Sequence, residues 1–225
     1  MSNNFSQSED ICLGEKQFLQ FCDLFIKHSE EINDGWQWRK QGPNEGYMVK
    51  VHLTSRKTKN NFFEDSQCLP SLPGLESEAC SEGEAENIGI DKEEAPVTTL
   101  ELIQYEYHVV YSCSYQVPVL YFKACFSDGR PLTLEEIWEN VHDCYKERLL
   151  QGPWETITQQ EHHLLGQPFF ILHPCRTSEL MTPIMAGARQ EKRDVNYITS
   201  WLSMVGPVVG LDLPTSYATA MSQCI

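Results

Sequence analysis

The sequence lacks any apolar run long enough to cross a bilayer. Its longest apolar stretch, residues 201–211, is about half of the ~20 residues that a membrane-spanning helix needs. The first ten residues are polar and acidic, without the apolar core of a signal peptide. We therefore expect a soluble protein of the cytoplasm with no transmembrane segment.

The sequence also lacks any C-x-x-C motif. Its nine cysteines are scattered, and an odd number cannot all pair within one chain. A disulfide framework and a zinc ribbon are therefore not expected, and reduced thiols are the simplest interpretation. We expect no bound metal and no cofactor.

Positive charge is scarce: the net charge is −15, and no basic stripe is present of the kind that nucleic acid requires. The acidic excess is concentrated in residues 64–94, with ten acids and one base, Lys92. Few aromatic and β-branched residues occur there. This composition predicts an acidic, disordered insertion over residues 58–97, within a single domain of residues 1–225. A partner-binding acidic tether is the alternative.

The first part of the chain shows the periodicity of one helix and four strands. Apolar residues spaced by three and four predict an amphipathic helix over residues 15–33. Alternation predicts a short strand at Trp36–Trp38 and a second at 47–53, joined by a hairpin loop at 42–44. The β-rich runs 102–111 and 117–126 predict a hairpin of two long strands.

The later part of the chain reads mainly as helices. Thr133 and Glu136 form the sequence pattern of a capping box, and the helix that follows is expected to end near residues 152–153. Residues 154–166 are expected to form a polar loop or a short helix. A final helix is expected at 194–205, with Asp194 as its N-cap. The order predicts an α+β fold in which an antiparallel sheet of about four strands packs with helices.

Cys175 is the residue most suggestive of chemistry, because an apolar run, Phe169–Leu172, ends at His173-Pro174-Cys175. Proline ends strand pairing and sends the next side chain in a fixed direction. In extended chain, His173 lies on the same face as Cys175. A thiol beside an imidazole is a candidate nucleophile, because a nearby cation favours the thiolate. The alternative is a small buried hydrophobe.

Three motifs together resemble the autophagy E2-like conjugating enzymes. They are Tyr115-Gln116-Val117-Pro118, Arg130-Pro131-Leu132-Thr133 and His173-Pro174-Cys175. The resemblance covers residues 15–55 and 100–217 and implies an E2-like (ubiquitin-conjugating-enzyme-like) fold. One branch of the family is longer and begins with an amphipathic, membrane-sensing segment. This chain begins with polar acidic residues and therefore resembles the shorter branch.

The resemblance also implies a reaction and its partners. Cys175 matches the cysteine that carries a ubiquitin-like modifier as a glycyl thioester. The implied partners are an E1-like activating enzyme, the modifier autophagy protein twelve and the acceptor autophagy protein five, which receives the modifier on a lysine. An interaction with a ubiquitin-like protein of the light-chain-three type is implied as well, although no single motif places it.

The residues that would support Cys175 are less clear. Ordinary ubiquitin E2 enzymes have a His-Pro-Asn whose Asn supports the oxyanion, and here Cys175 stands where that Asn would be. The resemblance suggests a Thr or Asn upstream as the donor, and Thr156 and Thr158 are the candidates. His173 is interpreted as a turn-stabilising residue, with general base as the alternative.

The sequence allows three other interpretations. A zinc site of His162, His163, His173 and Cys175 fits no structural class in its spacing. A cysteine hydrolase would need a histidine partner, and all seven histidines precede Cys175, unlike the known catalytic-cysteine signatures. A non-catalytic binding module with an inert, buried Cys175 is the remaining alternative.

Overall fold

The structure is a computed structural model that describes residues 13–42, 45–59, 98–151 and 157–220. Most of the predicted acidic insertion lies outside these residues. No helix in the described ranges is long and apolar enough to cross a membrane.

Helices and antiparallel strands both contribute to the fold, as expected from the sequence. The strands are β1 Gln37–Lys40, β2 Gly46–Lys59, β3 Thr98–Ser112, β4 Val117–Phe126, β5 Ile157–Glu161 and β6 Pro168–Leu172. The helices are α1 Glu15–Glu31, α2 Leu134–Asn140, α3 Asp143–Gln151, α4 Thr177–Gln190, α5 Tyr197–Val205 and α6 Ser216–Ala220. Two 3-10 turns span Pro174–Arg176 and Gly206–Val209.

The six strands form one sheet in the order β1-β2-β3-β4-β6-β5. The α+β class predicted from the sequence is confirmed, but the expected number of about four strands is wrong. The two additional strands are β5 and β6, which form an antiparallel hairpin that joins the sheet through β4. β6 was expected only as an extended run, and β5 only as a loop or a short helix.

The two faces of the sheet bury different clusters of side chains. The helix-covered face packs against apolar residues of the helices such as Phe25, Met181 and Leu202. The opposite face, called the outer face here, carries the outer cluster of Tyr47, Val49, Val110, Val119, Tyr121, Phe169 and Ile171. Because side chains alternate along a strand, β3 and β4 contribute to both clusters.

Residues 134–151 contain two helices instead of the single helix that was predicted. Thr133 caps α2 as expected: its side chain accepts a hydrogen bond from the Glu136 N–H, and the Glu136 carboxylate accepts one from the Thr133 N–H. The chain then leaves the helical conformation at Val141, where ψ is 128°, and α3 begins at Asp143. Apolar periodicity continues across this break and therefore hides it.

The last long helix begins later than predicted. α5 starts at Tyr197, and its N-cap is Asn196, whose side chain accepts from the Thr199 N–H at 3.1 Å. Asp194 lies before the helix. Both residue types cap helices well, so the sequence alone does not distinguish them.

A buried polar contact joins distant parts of the chain on the helix side. Lys50 Nζ lies 2.6 Å from Asp34 Oδ1, and the Tyr217 hydroxyl donates to Asp34 Oδ2 at 2.8 Å. The Tyr217 ring stacks on Phe25 with centroids 4.5 Å apart. We call Asp34, Lys50 and Tyr217 the polar clamp. It ties α6 to α1 and β2.

The chain divides into two compact units. The first comprises Met1–Thr54 and Leu102–Ile225, and contains Cys175. The second is Ser55–Glu101, whose described part consists of the ends of β2 and β3. β2 continues to Lys59, two residues into the predicted insertion, and β3 begins at Thr98.

Candidate active site

Cys175 lies on a short turn that directly follows strand β6. The last residue of β6, Leu172, is paired with Leu120 of β4 and with Ile157 of β5. Pro174 is buried and begins the 3-10 turn, and Cys175 is exposed at its middle. A strand held on both sides thus leads into a turn that presents a thiol to solvent. The exposure removes the buried-hydrophobe alternative for Cys175.

His173 caps the turn that carries the thiol. Its Nδ1 accepts a hydrogen bond from the Cys175 backbone N–H at 3.2 Å. A neutral imidazole that accepts at Nδ1 carries its proton on Nε2. Nδ1 is the nitrogen that a general base would use on this side of the ring. It instead accepts from the Cys175 backbone N–H. This contact supports the interpretation of His173 as a turn-stabilising residue.

Tyr115 also lies next to the turn of Cys175, although the sequence did not identify it as a residue of the site. It lies on the turn between β3 and β4, where Gln116 has a φ of +53°. Its ring, 46% exposed, meets His173 edge to face with centroids 5.7 Å apart. The sequence signal was its place in the Tyr115–Pro118 motif. Its contact with a residue 58 positions away was not visible.

A cavity of about 320 Å³ lies behind the turn. His173, Arg176, Thr177 and Leu180 line one side. Cys175 is not among the lining residues. The remaining lining is mainly apolar and includes Leu120, Leu172, Trp201, Met204 and Val208.

The two threonines proposed as oxyanion donors have different outcomes. Thr156 lies outside the described residues. Thr158 lies on β5 opposite Ile171, an outer-cluster residue, and its hydroxyl is buried with no hydrogen-bond partner in the described part of the chain. Its role as a donor stays a prediction.

The histidines of the possible zinc site lie apart in the fold. His162 and His163 pack at the outer face against Tyr121 of β4, whereas His173 caps the turn of Cys175. The Nδ1 of His162 is occupied by the N–H groups of Leu164 and Leu165. Within the described ranges, no group of three or more His, Cys, Asp or Glu side chains could hold a metal ion.

Other thiols show that exposure alone does not identify a nucleophile. Cys113 and Cys144 are exposed as well, whereas Cys22 is buried and burial raises the pKa of its thiol. Cys113 also follows a strand, and His142 Nδ1 accepts a hydrogen bond from the Cys144 N–H at 3.3 Å. Cys175 differs from both because a strand, a buried proline and a capping histidine all precede it. This setting fixes the direction of its side chain.

The fold and the exposed cysteine turn are those of an E2-like conjugating domain. The family model described as "Autophagocytosis associated protein, active-site domain" matches residues 17–216, and the chain belongs to this family. It is an E2-like transferase, a ubiquitin-like-conjugating enzyme of autophagy.

Individual relatives locate the chain within the family. It is 54% identical to the ubiquitin-like-conjugating enzyme ATG10 of Homo sapiens over 96% of each chain. It is 40% identical to ATG10 of Arabidopsis thaliana, over 86% of this chain and 88% of the relative. Autophagy-related protein 3 of Debaryomyces hansenii is 26% identical over 74% of this chain and 51% of its own length. The sequence predicted that the chain resembles the shorter branch of the family, and the similarity to ATG10 over nearly its whole length confirms this prediction.

Proposed function

We propose that Cys175 accepts ubiquitin-like autophagy protein twelve from an E1-like activating enzyme as a glycyl thioester. The modifier then passes to a lysine of autophagy protein five, in the cytoplasm. The observation that carries the proposal is the exposed thiol on a capped turn at the end of β6. A thiolate suits this reaction because it attacks one thioester and forms another of similar energy.

The transfer step makes a different demand on the site. A lysine with a pKa near 10.4 must lose its proton, which costs about 4–5 kcal/mol at neutral pH. Holding the amine against the thioester can contribute roughly 7–11 kcal/mol through effective molarity. Positioning of the acceptor protein can therefore outweigh the cost of deprotonating the lysine. An oxyanion donor would add about 3–4 kcal/mol.

The adduct between enzyme and modifier tests the assignment of Cys175. The chain is mixed with activating enzyme, autophagy protein twelve and ATP, and the products are separated with and without reductant. We expect a reductant-sensitive adduct for the native chain, none for Cys175→Ala, and a reductant-resistant oxyester for Cys175→Ser. Cys113→Ser and Cys144→Ser are matched controls, because both thiols are exposed and both variants should keep the adduct.

Two outcomes would contradict the proposal. An adduct that persists in Cys175→Ala places the nucleophile elsewhere, and loss of the adduct in Cys113→Ser or Cys144→Ser identifies another thiol. Cleavage of a modifier-linked substrate without the activating enzyme would instead support a hydrolase. The same assay with a light-chain-three type protein in place of autophagy protein twelve tests the further partner that the family resemblance implies.

A further inference from the structure

Two fully buried imidazoles meet on the outer face, away from the thiol. His108 comes from β3, and His162 begins the turn of residues 162–167 between β5 and β6, called the outer turn here. Both residues are 0% exposed, and their ring centroids are 5.2 Å apart. Histidine is seldom buried without a partner, and the proposed transfer reaction uses neither ring.

Hydrogen bonds fix where each ring carries its proton. The Leu164 N–H donates to His162 Nδ1 at 3.3 Å, and the Leu165 N–H is shared between this nitrogen at 3.3 Å and the His162 carbonyl at 3.0 Å. Nδ1 is therefore an acceptor, and the proton is on Nε2. His162 Nε2 lies 3.2 Å from His108 Nδ1, which must therefore accept. The His108 proton is then on Nε2, from which it is donated to Glu106 Oε1 at 2.9 Å.

We propose that Glu106, His108 and His162 form one directional chain of hydrogen bonds that holds the outer turn on the sheet, and that protonation of the chain releases this turn. The chain runs from the two backbone N–H groups of the turn to the carboxylate on β3. Each of its ring nitrogens already donates or accepts. The proposal does not depend on the conjugation reaction.

An added proton has no position on either ring that leaves the turn intact. At His162 Nδ1 it would face the N–H groups of Leu164 and Leu165. At His108 Nδ1 it would make that ring a donor, and His162 could accept only by moving its own proton to Nδ1, against the same N–H groups. Glu106 could stabilise a protonated His108, but it does not remove this conflict.

The outer turn depends on His162 for its conformation and covers apolar surface. The His162 N–H donates to the Gln167 carbonyl, and the Gly166 N–H donates to the His162 carbonyl, both at 2.8 Å. Leu164 and Leu165 pack on the outer cluster. Loss of the Nδ1 contacts therefore loosens the two residues that cover this part of the sheet.

Several polar and charged groups surround the two rings. β1 contributes Arg39, 3.6 Å from the Glu106 carboxylate, and β2 contributes Tyr47, whose ring is 4.5 Å from that of His108. β4 contributes Tyr121, with its ring 4.5 Å from His162, and Lys123, which stacks over Phe169 and bonds to Gln167. The turn itself contributes His163, hydrogen-bonded to the Tyr121 hydroxyl.

These surroundings disfavour a positive charge on His162. Burial, followed by the nearby His108 and His163, lowers the pKa of His162 to about 4 from an ordinary value of 6.5. Burial also lowers the pKa of His163. The pKa of Glu106 is lowered chiefly by its hydrogen bond with His108, which keeps the acceptor at the end of the chain ionised.

The direction of the pH effect follows from this lowered pKa. Between pH 6.5 and 4 the open turn binds a proton on His162 that the closed turn does not. The stabilisation of the closed turn is therefore complete above pH 6.5 and is lost progressively as the pH falls toward 4. One such proton changes the closing equilibrium about tenfold between pH 7.5 and 5.5.

Amide hydrogen exchange and imidazole NMR on the full chain test the proposal. We expect the protection factors of the Leu164 and Leu165 amides to fall about tenfold between pH 7.5 and 5.5, while that of Phe25 in α1 stays constant. His162→Asn should keep the turn, because an Asn side chain can accept from the same N–H groups, and should remove this pH dependence. His52→Asn, at an exposed position of β2, should behave like the native chain.

The unmodified protein provides a test that needs no variant to fold. At pH 7.5, ¹⁵N-histidine spectra should show both His108 and His162 protonated on Nε2 only. A proton on Nδ1 of either ring overturns the proposal. So do protection factors at Leu164 and Leu165 that stay constant with pH in the native chain.

Discussion

At the residue scale, His173 stabilises the turn that carries Cys175. Its Nδ1 is committed to the Cys175 backbone N–H, and its ring rests against Tyr115. The hydrogen bond holds the backbone of the turn that carries Cys175. The ring contact ties this turn to the one between β3 and β4. Both contacts hold the turn that carries the exposed thiol.

Substitution of His173 separates capping from proton transfer. His173→Asn keeps an acceptor for the Cys175 N–H and should form the modifier adduct within about twofold of the native rate. His173→Ala loses a cap worth about 1 kcal/mol, and a slowing of roughly fivefold is expected. Initial rates measured from pH 6 to 8 should give profiles of one shape for all three proteins. A general base at His173 would instead make the Asn variant as slow as the Ala variant and change the profile.

The sequence was more informative about Cys175 than about its neighbours. The His-Pro-Cys motif is local, so the turn, its cap and its place after a strand could be anticipated. Tyr115 and the buried pair of His108 and His162 depend on contacts over 54 or more positions. Local patterns carry no information about such contacts.

At the element scale, the missed features have a common physical cause. β5 is an edge strand in which only Ile157 is buried, so the apolar alternation of a strand is absent. The break between α2 and α3 falls at Val141, which is itself buried in the core, and the apolar stripe therefore continues through it. The long elements α1, β3 and β4 were predicted closely, because α1 has a complete apolar stripe and β3 and β4 are long β-rich runs that bury both faces.

Substitutions of two glycines, one tightly packed and one with open space around it, should change the free energy of unfolding in opposite directions. A Cβ on Gly206 would collide with the Leu211 backbone carbonyl, while the Leu211 N–H donates to the Gly206 carbonyl at 2.9 Å. Gly206→Ala should therefore lower the free energy of unfolding by about 1–3 kcal/mol. Gly187 lies inside α4 with nothing within 4 Å of its Cβ position. Gly187→Ala should raise that free energy by about 0.5–1 kcal/mol.

Urea denaturation followed by circular dichroism measures both changes. Equal effects of the two substitutions would show that the close approach at Gly206 does not constrain the chain. The comparison is matched, because each variant adds the same single methyl group.

At the scale of the whole molecule, we propose a single E2-like domain in which the acidic segment is an insertion. β2 ends at Lys59 and β3 begins at Thr98, and these strands are neighbours in the sheet. Deleting residues 64–96 leaves residues 60–63 and 97 to connect them, a loop of ordinary hairpin length. The deletion should therefore preserve the sheet.

The deletion variant should form the Cys175 adduct and complete the transfer at rates close to those of the full chain. Both rates are measured with the same partners, and circular dichroism checks the fold. Normal adduct formation with a collapse of transfer would contradict the insertion hypothesis and favour an acidic tether that binds the acceptor. Loss of both, with a changed spectrum, would show that the segment is needed for folding.

The polar clamp has a consequence for the order in which the chain folds during synthesis. Asp34 and Tyr217 are 183 positions apart, and α1 packs against α5 and α6. A ribosome adds about 5–20 residues per second, so α1 waits on the order of ten seconds or more for its docking partners. During that interval Phe25 and Lys50 lack their final neighbours. α1, the first helix of the described residues, is thus among the last elements to be secured.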